Sequence, residues 1–158
     1  MGLLRKRNKD ISVLSPIKGE AVSLSEVSDP TFSEGILGKG IAIMPADGKV
    51  YAPVNGVIES VAETSHAIAI LGDNGAEILI HIGIDTVELK GKPFIVSVEE
   101  NDRISCGQLL LEFDLDEIKS AGYETITPII ITNSENFTSF EAIKGEVLVG
   151  DELIKLLK

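Results

Sequence analysis

Hydrophobic positions along the chain come in short runs cut by glycine, proline and charged residues. The runs GEAVSL (19–24), GIAIMP (40–45), KVYAPV (49–54), GVIESVA (56–62), HAIAIL (66–71), AEILIHIG (76–83), KPFIVSV (92–98), QLLLEFD (108–114), TPIIITN (127–133) and GEVLVG (145–150) are rich in Val, Ile and Thr. They recur about every eight to fifteen residues, the rhythm of a sandwich or barrel, and no helical stretches lie between them as βαβ units would require. The pattern predicts an all-β fold of many short strands with one or two short helical turns. DLDEIKSAG (114–122) supplies such turns, with Asp114 or Asp116 as a cap and Gly122 as a stop. DELIKLL (151–157) is ambiguous between helix and strand.

The length of 158 residues suits one domain, and 44% hydrophobic residues suffice to fill its core. The apolar pattern starts late. Residues 1–13 are expected to be a flexible basic tail, carrying Arg5, Lys6, Arg7 and Lys9, and residues 14–158 a single domain. The formal charge is -11 despite that tail, so the body repels nucleic-acid phosphates and suits a partner that presents Lys or Arg. Nucleic-acid binding is not expected.

No apolar run approaches the ~20 residues of a membrane span, and the N-terminus lacks the centre of a signal peptide. Lys6 stands where a myristoylation signal needs Ser or Thr. The chain is expected to be cytoplasmic, with a transient contact of its basic tail on anionic lipid at the inner face of the membrane left open. The single cysteine, Cys106, forms no internal disulfide and has no zinc-site spacing around it.

Candidate chemistry rests on the only two histidines, His66 and His81. GDNG (72–75) between them reads as a hairpin turn, and the loop length sets their register. A two-residue loop at Asp73-Asn74, or a four-residue loop from Gly72 to Gly75, puts His66 directly opposite His81. The same face would then carry Ile68, Ile70 and Leu79, with Ala67, Ala69, Ile78, Ile80 and Ile82 on the other. A turn at Asn74-Gly75 makes the histidines diagonal neighbours, and an odd loop with an unbulged ladder places them on opposite faces. On an even register Thr64 joins the histidine face and can bond a ring nitrogen.

Each histidine alone is read first as a satisfied core residue, but a facing pair in an apolar setting keeps at least one imidazole neutral. Such a nitrogen serves as a metal ligand or a nucleophile. A metal site would need Glu77 or Asp85 as a further ligand, and no HxH or HExxH spacing is present. Serine hydrolysis lacks a GxSxG elbow, and a GxxxxGK[ST] phosphate loop is missing. Phosphorylation of a histidine by a protein donor fits with the fewest additional residues.

The residues also carry a family resemblance. GAEILIHIGIDTVELKG (75–91) looks like the phosphorylation signature of the glucose-type enzyme IIA component of the phosphoenolpyruvate-dependent sugar phosphotransferase system. SPIKGE (15–20), GKGIAIMPADGKVYAPVNGVI (38–58), ETSHAIAI (63–70), EFDLDEIK (112–119) and TPIIITN (127–133) extend the likeness over about residues 14–151.

The resemblance implies an antiparallel β-sandwich with His81 as phosphoacceptor on Nε2 and its Nδ1 bonded to the carbonyl of Gly83. It assigns His66 to stabilising the phosphoryl group and Thr64 to orienting His66. Phosphate would arrive from the phosphocarrier HPr and pass to a cysteine on the IIB domain of a sugar permease, making the chain a phosphotransferase component. Phe32, Ile36, Leu37 and Val87 match the apolar rim that receives HPr, and Asp29 and Asp85 are placed to meet its basic side chains.

Family members carry phenylalanines where this chain has Ala62, Leu79 and Ile82, which predicts a less aromatic rim. No cofactor is expected. A zinc ion at His66 and His81 is envisaged only at an interface with a partner's carboxylate. A monomer is expected, acting in trans or as an excised domain. The alternative role is a regulatory binding module whose phosphorylation state controls transporters or kinases.

Overall fold

The computed structural model describes residues 10–158; residues 1–9, and with them the lipid contact expected of Arg5, Lys6, Arg7 and Lys9, lie outside the described residues. The elements run β1 (Asp10–Leu14), β2 (Gly19–Ser23), α1 (Pro30–Ser33), β3 (Lys39–Pro45), β4 (Lys49–Tyr51), β5 (Gly56–Val61), β6 (Ala67–Gly72) and β7 (Glu77–His81). They continue with β8 (Phe94–Val96), β9 (Arg103–Ile104), β10 (Leu109–Phe113), α2 (Leu115–Ser120), β11 (Thr127–Ile131), β12 (Ser139–Ala142), β13 (Gly145–Val147) and β14 (Glu152–Leu157).

Eight strands form one sheet in the order β13-β2-β3-β11-β7-β6-β5-β9. Two three-stranded sheets, β1-β14-β12 and β4-β10-β8, complete the sandwich. All pairings among the described residues are antiparallel. The all-β expectation therefore holds, and so does the helical turn at 115–120, where Asp114 accepts a hydrogen bond from the Glu117 amide.

The sheet of eight is buried on both sides at its centre. Along β3, Ile41 and Ile43 enter the main core between the sheets while Ala42 faces a second apolar layer; along β11, Ile129 and Ile131 alternate in the same way with Ile130. That two-sided burial is why TPIIITN reads as an unbroken apolar run. The second layer comprises Val27, Phe32, Ala42, Ile84, Ile126 and Ile130, with Val22, Leu24 and Leu79 packed on it. His81 lies against this layer, its ring centroid 4.8 Å from that of Phe32.

Two sequence expectations are corrected and one open reading is resolved. Residues 10–13 belong to a strand, since β1 pairs with β14 and buries Ile11 and Val13 at 6% and 0% exposure; two alternating apolar residues carried too weak a signal without the partner strand. The ambiguous DELIKLL is β14, held by β1 on one side and β12 on the other.

The 72–75 hairpin has an odd loop: Gly72 and Ala76 face each other, leaving Asp73, Asn74 and Gly75 as the turn, with Gly75 at φ 97°. Asn74 accepts from the Ala76 amide, and Gly75 supplies the left-handed residue of a three-residue loop. His81 consequently pairs with Ala67, and Ile68 and Ile70 share their face with Ile78 and Ile80, not with Leu79. Among the described residues no helix is long and apolar enough to cross a membrane.

Candidate functional site

The corrected register explains how a histidine sits in AEILIHIG. Ile78 and Ile80 point into the main core, each fully buried side chain stabilising the fold by about 1.5–3 kcal/mol, while Leu79 and His81 point to the second layer. His81 is the last residue of β7, and the chain then makes a tight turn. Gly83 and Asp85 both take left-handed backbone, at φ 75° and 62°. This turn brings the Gly83 carbonyl to 2.8 Å from Nδ1 of His81. A carbonyl only accepts, so the neutral ring keeps its proton on Nδ1 and presents a lone pair on Nε2.

Gly83 is required where it stands. A Cβ there would lie 2.6 Å from the Thr86 methyl and 2.7 Å from the Glu124 carbonyl oxygen. The Ile84 amide donates to that same Glu124 carbonyl at 3.1 Å, and the buried Thr86 hydroxyl donates to the Ile82 carbonyl.

His66 reaches the site by a route that strand alternation does not give. It lies opposite Ile82, whose amide donates to the His66 carbonyl at 2.7 Å, so regular pleating would send its side chain toward the main core. It sits, however, one residue before β6 and directly after Ser65, a left-handed residue at φ 62° whose amide bonds the Ala62 carbonyl. The pleat has ended there, and the His66 ring meets that of His81 edge-on, with centroids 4.8 Å apart and planes at 84°. Thr64, at the same bend, holds Nδ1 of His66 at 2.7 Å from its hydroxyl.

Burial lowers the pKa of both rings. His66 falls from 6.5 to about 4, with the neighbouring His81 adding to the effect of desolvation. His81 is lowered by burial too, opposed by its bond to the Gly83 carbonyl and by the negative charges of Asp29 and Asp85. Both imidazoles are therefore neutral near pH 7, and His81 is the one whose surroundings favour positive charge.

The remaining candidates divide. Asp29 caps α1 by accepting from the Thr31 amide at 2.9 Å, and Asp85 precedes the 3₁₀ turn Thr86–Leu89. Ile36, Leu37 and Val87 are exposed at 67%, 37% and 44%. Phe32 is not a rim residue: it is 4% exposed, and its ring centroid lies 4.8 Å from that of His81, forming the apolar wall beside the imidazole. Of the three positions expected to thin the aromatic rim, Ile82 is wholly buried in the main core and faces away; Ala62 and Leu79 are half-buried. Glu77, once a possible metal ligand, pairs with Leu71 toward the far end of β7. Among the described residues no cluster of three or more His, Cys, Asp or Glu side chains could hold a metal ion.

Thr86, Ile84, Ile126 and Glu124 escaped the sequence reading. A threonine four residues after Ile82 was a weak hint of a closed turn, but nothing local ties Glu124 to Gly83.

Comparison with known proteins fits this geometry. A family model described as phosphoenolpyruvate-dependent sugar phosphotransferase system, EIIA 1, matches residues 11–137. The chain belongs to this EIIA family. It is 44% identical over 147 residues to the glucose-specific EIIA component of Oceanobacillus iheyensis, covering 92% of this chain and 89% of that one. The beta-glucoside-specific EIIBCA component of Bacillus subtilis is 49% identical over 144 residues; the chain spans only 24% of that relative's length. The solved glucose permease IIA from Mycoplasma capricolum superposes with a TM-score of 0.87 at 35% identity, over 94% of this chain and 97% of that one. EIIA membership makes the protein a component of the sugar phosphotransferase system and accounts for the all-β sandwich.

Proposed function

We propose that the chain relays a phosphoryl group, accepting it from phosphorylated HPr on Nε2 of His81 and passing it to a cysteine on the IIB domain of a sugar permease. The single observation that carries this reading is the bond from His81 Nδ1–H to the Gly83 carbonyl, which leaves Nε2 as the free nucleophile. On transfer, the N–P bond of the donor phosphohistidine breaks as the His81 Nε2–P bond forms. The His81 ring, still carrying its Nδ1 proton, becomes cationic, and the donor ring returns to neutral. The Gly83 carbonyl, Asp29 and Asp85 favour that positive charge, as their influence on the His81 pKa indicates. In the onward step the IIB cysteine attacks as its thiolate, the N–P bond breaks as the S–P bond forms, and the His81 ring returns to its neutral Nδ1–H form.

His66 stabilises the transferring group. With the Thr64 hydroxyl donating to its Nδ1, the neutral ring carries its proton on Nε2 and donates to a phosphoryl oxygen. Apolar walls from Phe32 and Leu79 limit water around the reactive nitrogen. Ile36, Leu37 and Val87 provide exposed apolar area for HPr, while Asp29 and Asp85 complement a basic partner. The protein works as a cytoplasmic monomer without a cofactor, and its permease, for glucose or a β-glucoside, sets the sugar.

The test is incubation with phosphoenolpyruvate, enzyme I and HPr, read by intact mass and acid lability. One acid-labile phosphate is expected on the native chain, none on His81→Gln, and on His66→Gln a phosphate that is retained but poorly passed to IIB. A native chain that stays unphosphorylated beside competent donor proteins overturns the relay.

A further inference from the structure

We propose that Thr86 is a positioning residue, which sets the His81 tautomer through the Gly83 carbonyl; the inference rests on the relay reading above. Glycine has a broad backbone landscape, so a glycine carbonyl aimed at one ring nitrogen must be held by its neighbours. Both adjoining peptides are tied. On one side the Ile82 carbonyl accepts from the Thr86 hydroxyl; on the other the Ile84 amide donates to the Glu124 carbonyl at 3.1 Å. The amide of Ile82, in the preceding peptide, donates to the His66 carbonyl at 2.7 Å, so the residue whose carbonyl Thr86 holds is also tied to the second histidine of the site.

Thr86 is wholly buried. A buried hydroxyl is costly unless bonded, and its partner here is that one carbonyl. Its methyl meanwhile fills the space that a side chain on residue 83 would need. Releasing the hydroxyl frees the Ile82–Gly83 peptide and leaves the Gly83 carbonyl held from the Ile84 side alone, so that it drifts from Nδ1 and the His81 proton redistributes onto the nitrogen that must attack phosphorus. Thr86 touches neither the phosphoryl group nor the imidazole in this scheme and acts only through the turn.

The experiment compares Thr86→Ser with Thr86→Ala. Both lose the methyl, and only the second loses the hydroxyl. Ring ¹⁵N shifts of His81 at pH 7 report the tautomer before any phosphate is added, and initial rates from phospho-HPr report transfer. Thr86→Ser is expected to keep the Nδ1–H tautomer and to accept phosphate within about twofold of native, while Thr86→Ala loses the tautomer preference and slows on the order of tenfold. Should Thr86→Ala lose its cooperative urea transition, Thr86→Val, which keeps the volume, replaces it with the same expectation. Equal losses in the hydroxyl-bearing and hydroxyl-free variants, or a native tautomer without the hydroxyl, overturn the role of Thr86. Failure of the relay reading is separate: the native chain would take no phosphate, whereas the tautomer comparison would still decide the inference about Thr86.

Discussion

Substituting alanine for Gly83 perturbs the turn behind His81 in two ways, and both can be sized. The residue has φ 75°, where an L side chain costs about 1–2 kcal/mol. Its new Cβ would stand 2.6 Å from the Thr86 methyl and 2.7 Å from the Glu124 carbonyl oxygen. Thr86 is wholly buried and the Glu124 oxygen is backbone, so neither yields freely, and relieving such overpacking costs about 1–3 kcal/mol.

Together Gly83→Ala should lose about 2–5 kcal/mol, read as a urea midpoint lowered by about 1–2.5 M for a slope near 2 kcal/mol/M. The movement that relieves the clash also carries the Gly83 carbonyl off Nδ1 of His81, so phosphoryl acceptance from phospho-HPr should fall by roughly tenfold in protein that remains folded. Urea titration followed by tryptophan-free far-UV circular dichroism suits a chain without Trp. A midpoint within experimental error of native would refute the claim that this turn has no room for a side chain, and with it the reason given for glycine at 83.

Thr64→Val removes the hydroxyl 2.7 Å from His66 Nδ1; onward transfer to IIB should slow by about fivefold, with Thr64→Ser close to native in the same assay. His66 has a folded pKa of about 4 against an ordinary 6.5, so between those values the unfolded chain binds more protons, and the His66 contribution to stability falls as pH drops from 6.5 toward 4 and is level above 6.5. The urea midpoint of His66→Gln should therefore gain on native between pH 7 and pH 5; a constant difference would contradict the depressed pKa. Ile11→Ala, in a strand that is 6% exposed at this residue, should cost about 2–3 kcal/mol in urea unfolding, and no loss would show that β1 contributes little to the core.

Much of the architecture was legible in the chain because its cues are local. Alternating Ile and Val between glycines and prolines marks strands by side-chain period, and Asp114 ahead of a short amphipathic run marks the start of α2 through a capping bond three residues long. The two histidines could be assigned to one hairpin by the same logic. What local pattern left open was the register, because loops of two, three or four residues all suit GDNG; the structure adopts the three-residue loop, and one residue of shift exchanges the faces of Ile78 and Leu79. His66 then meets His81 through the bend at Ser65, where the pleat that sequence reasoning relied on no longer applies.

Other features depended wholly on distant partners. DISVL becomes a strand because β14, at the other end of the chain, pairs with it, and Glu124 comes to the back of Gly83 because the segment leading into β11 returns beside the turn after β7. The sequence by itself determined the strands with a strong apolar pattern and the chemistry available, since period and residue type act over a few positions. Tertiary structure alone decided how the two rings meet and what holds the turn behind His81, because those depend on the bend at Ser65 and on contacts with residues as distant as Glu124 that no local preference brings together.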